Sequence, residues 1–140
     1  MLTALLAVTV AAGIVVRRSQ NRPRRHIEHE VIEPERLGAT TLGERATLLQ
    51  FSSEQCTRCP GVHRMLSDVA VQTDGVLHLD VDLTQRPDIA RHFHILQTPT
   101  TLILDHAGVV QTRFGGAPRR DVVELALGRV TAPQPHTFHR

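Results

Sequence analysis

Residues 46–60 read ATLLQFSSEQCTRCP: an apolar run, a short polar bend, and two cysteines with two residues between them. The run ATLLQFSS (46–53) suits a buried strand. The segment after it, RCPGVHRMLSDVAVQ (58–72), sets Val62, Met65, Leu66, Val69 and Ala70 at helical spacing. A strand therefore feeds a helix, and Cys56 falls at the junction. Open α/β sheets hold their sites beyond the carboxyl ends of strands, so this junction is the first place to look for chemistry.

Cys56 and Cys59 are the only cysteines of the chain. As a structural staple they would do little, because loop-closure stabilisation grows with loop length and this loop is minimal. Disulfide frameworks of small secreted domains use four or more cysteines. A metal reading has three candidate ligands, Cys56, Cys59 and His63 in C-x₂-C-x₃-H spacing, but no second cysteine pair to complete a structural zinc site. A redox pair is the preferred reading. The N–H groups and dipole of a helix start favour the thiolate, which is the nucleophile, and Arg58 adds a fixed positive charge. Cys59, one turn on, is placed to attack a mixed disulfide at Cys56 and release the product. Pro60 costs little in a first helical turn.

Outward from this junction the pattern alternates. GVLHLDVDL (75–83) reads as a strand with Val76, His78, Asp80 and Asp82 on one side and Leu77, Leu79, Val81 and Leu83 on the other. RPDIARHF (86–93) opens with Pro87 and reads as a short helix. PTTLILD (99–105) and GVVQTRF (108–114) are strands joined by a turn at His106-Ala107-Gly108. APRRDVVELALGRV (117–130) is an amphipathic helix offering Val122, Val123, Leu125, Ala126 and Val130 for burial. The order βαβαββα predicts an α/β fold with a mixed central sheet flanked by helices. Its β–α–β crossovers are expected to be parallel and its 99–114 hairpin antiparallel. Thr98-Pro99, at the entrance of an apolar strand, is a candidate cis peptide.

The flanks read differently. MLTALLAVTVAAGIVV (1–16) is wholly apolar and ends at Arg17-Arg18. As a helix it spans roughly 24 Å, against about 30 Å of hydrocarbon, a gap that snorkelling arginines and local thinning can close. It is expected to be a membrane anchor, in preference to a cleaved signal peptide, which needs basic residues ahead of the run, or to a core helix. Arg17, Arg18, Arg22, Arg24 and Arg25 follow directly, and the positive-inside rule then puts the rest of the chain in the cytoplasm. Residues 17–43 read as a polar linker, in which His26 and His29 are taken as solvated rather than metal-binding. Residues 44–130 form the domain, and 131–140 a loose Pro-containing tail.

Composition narrows the rest. All 16 basic residues are arginine and the net charge is only +2, with the arginines clustered at 17–25. Basic stripes interleaved with aromatics are missing, which argues against nucleic-acid binding. Aromatics are limited to four Phe, so the core is built from Leu, Val, Ile and Ala.

Over residues 44–130 the chain resembles the thioredoxin family. LLQFSSEQCTRCP (48–60) is similar to the family's first core strand running into its C-x-x-C helix. RPDIARHFHILQTPTTLILDHAGVVQTRFGG (86–116) is similar to its short helix, cis-proline loop, hairpin and glycine-bearing strand end. The resemblance implies a thioredoxin-like fold with Cys56 as attacking and Cys59 as resolving thiol. It implies Pro99 as the cis proline facing the sulfurs, Thr98 as the backbone edge that pairs with an extended substrate segment, and Gly115 as room beside that groove. Thr57-Arg58 replaces the usual Gly-Pro and is expected to tune the pair. Gln55 stands where the family has Trp and Gln50 where it has a buried acid, whose lysine partner is absent. Asp80 and His78 are the candidates for that region, and proton transfer to Cys59 then uses water or another group.

The expected function is a membrane-tethered thiol–disulfide oxidoreductase acting on protein disulfides, with no cofactor beyond the Cys56–Cys59 disulfide and no metal. Its electrons would come from a thioredoxin-reductase-like enzyme or a low-molecular-weight thiol, and cytoplasmic placement implies reduction. The alternatives are a protein-binding module that uses the Thr98-Pro99 groove with little redox turnover, and extracytoplasmic redox work with the anchor reversed.

Overall fold

The computed structural model describes residues 1–20 and 30–133. Its elements are α1 (Leu2–Gln20), β1 (Ala46–Ser52), α2 (Cys59–Val71), β2 (Val76–Asp82), α3 (Pro87–His92), β3 (Thr100–Asp105), β4 (Val110–Gly115) and α4 (Arg120–Thr131), with a 3-10 turn at Pro34–Leu37. His26, His29, Arg22, Arg24 and Arg25 lie outside the described residues.

The strands form one sheet in the order β2-β1-β3-β4. β1 is a central strand, buried on both faces from Ala46 to Phe51, and it places Ala46, Leu48, Leu49 and Phe51 in the core together with the buried polar Thr47 and Gln50. It pairs parallel with β2, Leu48 opposite His78 and Gln50 opposite Asp80. β3 runs antiparallel to β1, and β4 antiparallel to β3. Only the first crossover therefore gives a parallel pair, contrary to the expectation from the βαβ order. Helix length explains the difference. The 13 residues of α2 rise about 20 Å, enough to carry the chain back along β1, whereas the six of α3 rise only about 9 Å. The chain leaving α3 thus enters β3 at the end where β1 finishes, with Phe51 opposite Thr100.

Apolar side chains fill both faces. Leu48, Ile103 and Phe114 meet Val62, Leu66 and Val69 of α2 and Val123 and Leu127 of α4. On the other face Leu49, Phe51, Leu102 and Leu104 meet Ile89 and Phe93, and the Phe51 and Phe93 rings stand 5.6 Å apart. Ile32, from the segment read as linker, is 2% exposed and belongs to this second face, while its neighbour Val31 bridges to Val109. Leu125 is 61% exposed, so α4 buries Val123, Ala126 and Leu127 instead. The β3–β4 turn falls where the sequence places it, with Asp105 Oδ1 accepting from the N–H groups of Ala107 and Val109.

The N-terminal segment is helical, but its expected role is corrected. No helix among the described residues is long and apolar enough to cross a membrane. α1 has 19 residues, and its last turn is Arg17-Arg18-Ser19-Gln20. The apolar part is therefore about 24 Å long against a hydrocarbon core of about 30 Å. Without a span the arginines have nothing to orient, and both the anchor and the cytoplasmic placement drawn from it are withdrawn.

Candidate active site: the Cys56–Cys59 disulfide and its facing loop

The bend after β1 turns on two backbone contacts, Cys56 N–H to the Ser53 carbonyl at 3.1 Å and Cys59 N–H to the Cys56 carbonyl at 3.4 Å. α2 itself begins at Cys59, with Arg58 as its N-cap and Pro60 inside the first turn, where no helical N–H is lost. Cys56 thus precedes the helix rather than opening it. The two cysteines form a disulfide, Cα–Cα 5.4 Å. They are unequal: Cys59 is buried, while Cys56 is partly exposed and Thr57 and Arg58 are exposed beside it. His63, the third candidate metal ligand, turns instead to Asp80, with Nδ1 2.7 Å from Oδ2.

The Thr98–Pro99 peptide is cis and faces the bend. The two loops are tied by the Ser53 and Thr98 hydroxyls, 3.1 Å apart. Between them lies a cleft of about 440 Å³, lined on one side by Ser53, Gln55, Cys56, Thr57 and Arg58 and on the other by Gln97, Thr98, Pro99 and Gly116. Sequence reading placed Gly115 beside this groove. The structure puts Gly115 one step back, against the Gln97 side chain: a Cβ there would meet Gln97 Nε2 at 2.6 Å. Gly116 lines the cleft, with φ 82 and its N–H bonded to the Pro99 carbonyl at 2.9 Å. Gln97 and Gly116 were missed as lining residues. The doubled glycine was the available signal for the second, since one of the pair has to take the left-handed turn.

Beneath the disulfide, where the sequence comparison leaves a buried acid missing, Gln50 is fully buried. Its Nε2 donates to the Cys59 carbonyl at 3.1 Å, and its Oε1 lies 3.2 Å from His78 Nε2. Burial, reinforced by the neighbouring His63 and opposed by Asp80, pushes His78 down to about 4. His78 is therefore neutral near pH 7, and the network under Cys59 is an uncharged one.

A family model described as Thioredoxin matches residues 35–127. Among curated proteins, a Bacillus subtilis protein named SPbeta prophage-derived thioredoxin-like protein YosR is 28% identical over 78 residues, covering 56% of this chain and 91% of its own. Human Thioredoxin domain-containing protein 8 is 30% identical over 61 residues, 44% of this chain. That match spans about half of the human protein, 48% of its length. Among solved structures, an N21Q mutant thioredoxin from Halobacterium salinarum superposes with TM-score 0.61 at 18% identity, covering 75% of this chain and 90% of that one. The oxidised form of mitochondrial thioredoxin 3 from Saccharomyces cerevisiae gives TM-score 0.54 at 19% identity, covering 61% and 79%. The two structural likenesses concern the fold, a mixed sheet flanked by helices. A domain of this kind with a C-x-x-C pair at disulfide distance is equipped for thiol–disulfide exchange. With a family model covering well over half of its length, the chain belongs to the thioredoxin family.

Proposed function

We propose that this protein is a thiol–disulfide oxidoreductase whose Cys56–Cys59 dithiol reduces disulfides of extended protein segments and is itself converted to the disulfide. The observation that carries the reading is the unequal exposure of the two cysteines, with Cys56 beside a cleft lined by the cis Thr98–Pro99 loop. Cys56, reachable from the cleft, attacks a substrate disulfide as the thiolate, favoured by the start of α2 and by Arg58. Cys59, buried behind it, then attacks Cys56 and frees the product. An extended substrate segment pairs with the backbone at Thr98, as in strand addition to an exposed edge. Electrons come from a reductase or a low-molecular-weight thiol.

Thr57-Arg58 makes the pair a weaker reductant than an ordinary thioredoxin, because a cation beside the thiolate stabilises the reduced form. The test is equilibration of the full chain against glutathione. A reversible two-electron transition with a midpoint above about −270 mV is expected. Cys56→Ser abolishes exchange, and Cys59→Ser accumulates a mixed disulfide at Cys56. A pair locked in one state overturns the reading, and exchange that survives Cys56→Ser does the same.

A further inference from the structure

The wedge between α2 and the edge strand β2 holds a polar cluster that the exchange reading leaves unused. Gln50 donates to the Cys59 carbonyl, so its Oε1 faces His78 and His78 Nε2 carries the ring proton. His78 Nδ1 then accepts from Ser67 Oγ at 2.9 Å. Both nitrogens of His78 are engaged, and Gln50 cannot titrate. Neither can take a proton from Cys59 near neutral pH.

His63 is placed differently. Its ring stands edge-on to His78 with 4.8 Å between centroids, and its Nδ1 meets Asp80 Oδ2 at 2.7 Å. The other Asp80 oxygen accepts from Ser52 Oγ at 2.6 Å, which fixes the carboxylate. A carboxylate at Nδ1 holds the ring proton there and leaves Nε2 as the basic nitrogen. Asp80 is also the register partner of Gln50, the residue bonded to the Cys59 backbone. His63 is thus drawn toward the disulfide end of the wedge. It follows Cys59 by four residues, a spacing that makes helix side chains neighbours, and helical side chains lean toward the N-terminus. Its side chain is 49% exposed, so a proton taken there can leave to solvent. The titratable groups facing it are Asp80 and His78 from β2, while β1 presents neutral Gln50 and Ser52, and α2 adds Cys59 and the adjacent Arg64.

We propose that His63, oriented by Asp80, exchanges the proton of Cys59 as the disulfide opens and closes. This rests on the exchange reading above. During reduction of a substrate R–S–S–R′, the Cys56 thiolate attacks one sulfur, the S–S bond breaks, and R′S⁻ leaves and is protonated from water. Cys59 then gives its thiol proton to His63 Nε2 and its thiolate attacks Cys56 Sγ. The mixed disulfide breaks, RS⁻ leaves, and the imidazolium returns the proton to it. Two electrons pass from the pair to the substrate, one proton comes from Cys59 through His63 and the other from water, and His63 ends as it began. Asp80 is a positioning residue that stabilises the imidazolium.

The test uses the full chain, reduced, desalted and mixed in excess with 5,5′-dithiobis(2-nitrobenzoate) in a stopped-flow instrument. The first release of thionitrobenzoate reports attack by Cys56, and the second reports attack by Cys59 on the mixed disulfide. His63→Ala and His63→Gln are expected to slow the second release at pH 7 by about tenfold or more, with the first within about twofold of wild type. The gap closes as pH rises and the Cys59 thiol ionises unaided. Asp80→Asn gives a smaller loss in the same phase, and urea midpoints of all variants show that the fold is kept. A second release as fast as wild type, or equal slowing of both phases without pH dependence, overturns the proposal. No first release from the wild type overturns the exchange reading and this proposal with it.

Discussion

Acid bears on the Gln50–His78 pair beneath Cys59 through one group. His78 is held neutral in the folded protein, its pKa pushed from 6.5 to about 4, first by burial and then by His63. A histidine with a depressed folded pKa binds fewer protons folded than unfolded between those two values. Its contribution to stability is complete above pH 6.5, falls as the pH drops toward 4, and is lost below it. The full shift would correspond to about 3.4 kcal/mol, of which about 3 kcal/mol develops between pH 7 and pH 4, and discounting by half for the partial exposure of the ring leaves about 1.5 kcal/mol. With urea slopes of about 1–3 kcal/mol/M for small domains, the unfolding midpoint moves by roughly 0.5–1.5 M. The assay is urea unfolding of the oxidised full chain at pH 7 and pH 4, beside His78→Gln, which cannot titrate but keeps an N–H for Gln50 Oε1. Other groups titrate in both proteins, so the difference between their losses isolates His78. The wild type is expected to lose about 1.5 kcal/mol more than the variant over this interval. Equal losses would refute the account of a neutral, buried imidazole.

Other substitutions probe the cleft and the core. Gly116→Ala forces a Cβ onto a backbone with φ 82 and is expected to cost about 1 kcal/mol, read as a fall of about 5 °C in thermal midpoint. Gly115→Ala meets only the flexible end of Gln97, so stability is expected to change little while Gln97 shifts in the cleft and KM for a peptide disulfide changes more than kcat. Leu66→Ala empties a fully buried position between α2 and the sheet and is expected to cost about 2–5 kcal/mol in chemical denaturation. Leu125→Ala, on the exposed face of α4, is expected to stay within about 0.5 kcal/mol of wild type.

Periodicity made the central elements legible. The apolar run of β1, the helical spacing of Val62, Leu66 and Val69, and the turn at Gly108 all reappear where the sequence puts them. The direction of β3 was not legible from element order, because it depends on whether α3 is long enough to return the chain. Apolar residues alone did not tell which side of α4 would meet the sheet, and Leu125 stayed outside. Ile32 escaped notice in a polar segment, since Ile32, Leu37 and Leu42, which pack on the same face, match neither the helix nor the strand period. For the site, C-x-x-C and Thr98-Pro99 announced themselves, while Gln50, His63, His78 and Asp80 became a cluster only once α2 was laid against β2. Pairings across elements carry no local signature. The N-terminal run was read as an anchor on the expectation that snorkelling arginines and thinning would make up its short length, but no helix among the described residues is long and apolar enough to cross a membrane.

The register of β1 against β3 has a consequence for how the site fails. Cys56 follows the end of β1, Pro99 precedes the start of β3, and Phe51 is paired with Thr100 between them. The two halves of the cleft are thus extensions of the two innermost strands, whose amides are among the last to exchange with solvent in a sheet of this kind. Local fraying at the sheet's outer strands or of α1 leaves their spacing intact. Separating the Cys56 bend from the Thr98–Pro99 loop requires breaking the β1–β3 ladder, an event on the scale of global unfolding. Under heat or denaturant the dithiol therefore keeps its native reactivity until the domain as a whole unfolds, and loses it in that same transition.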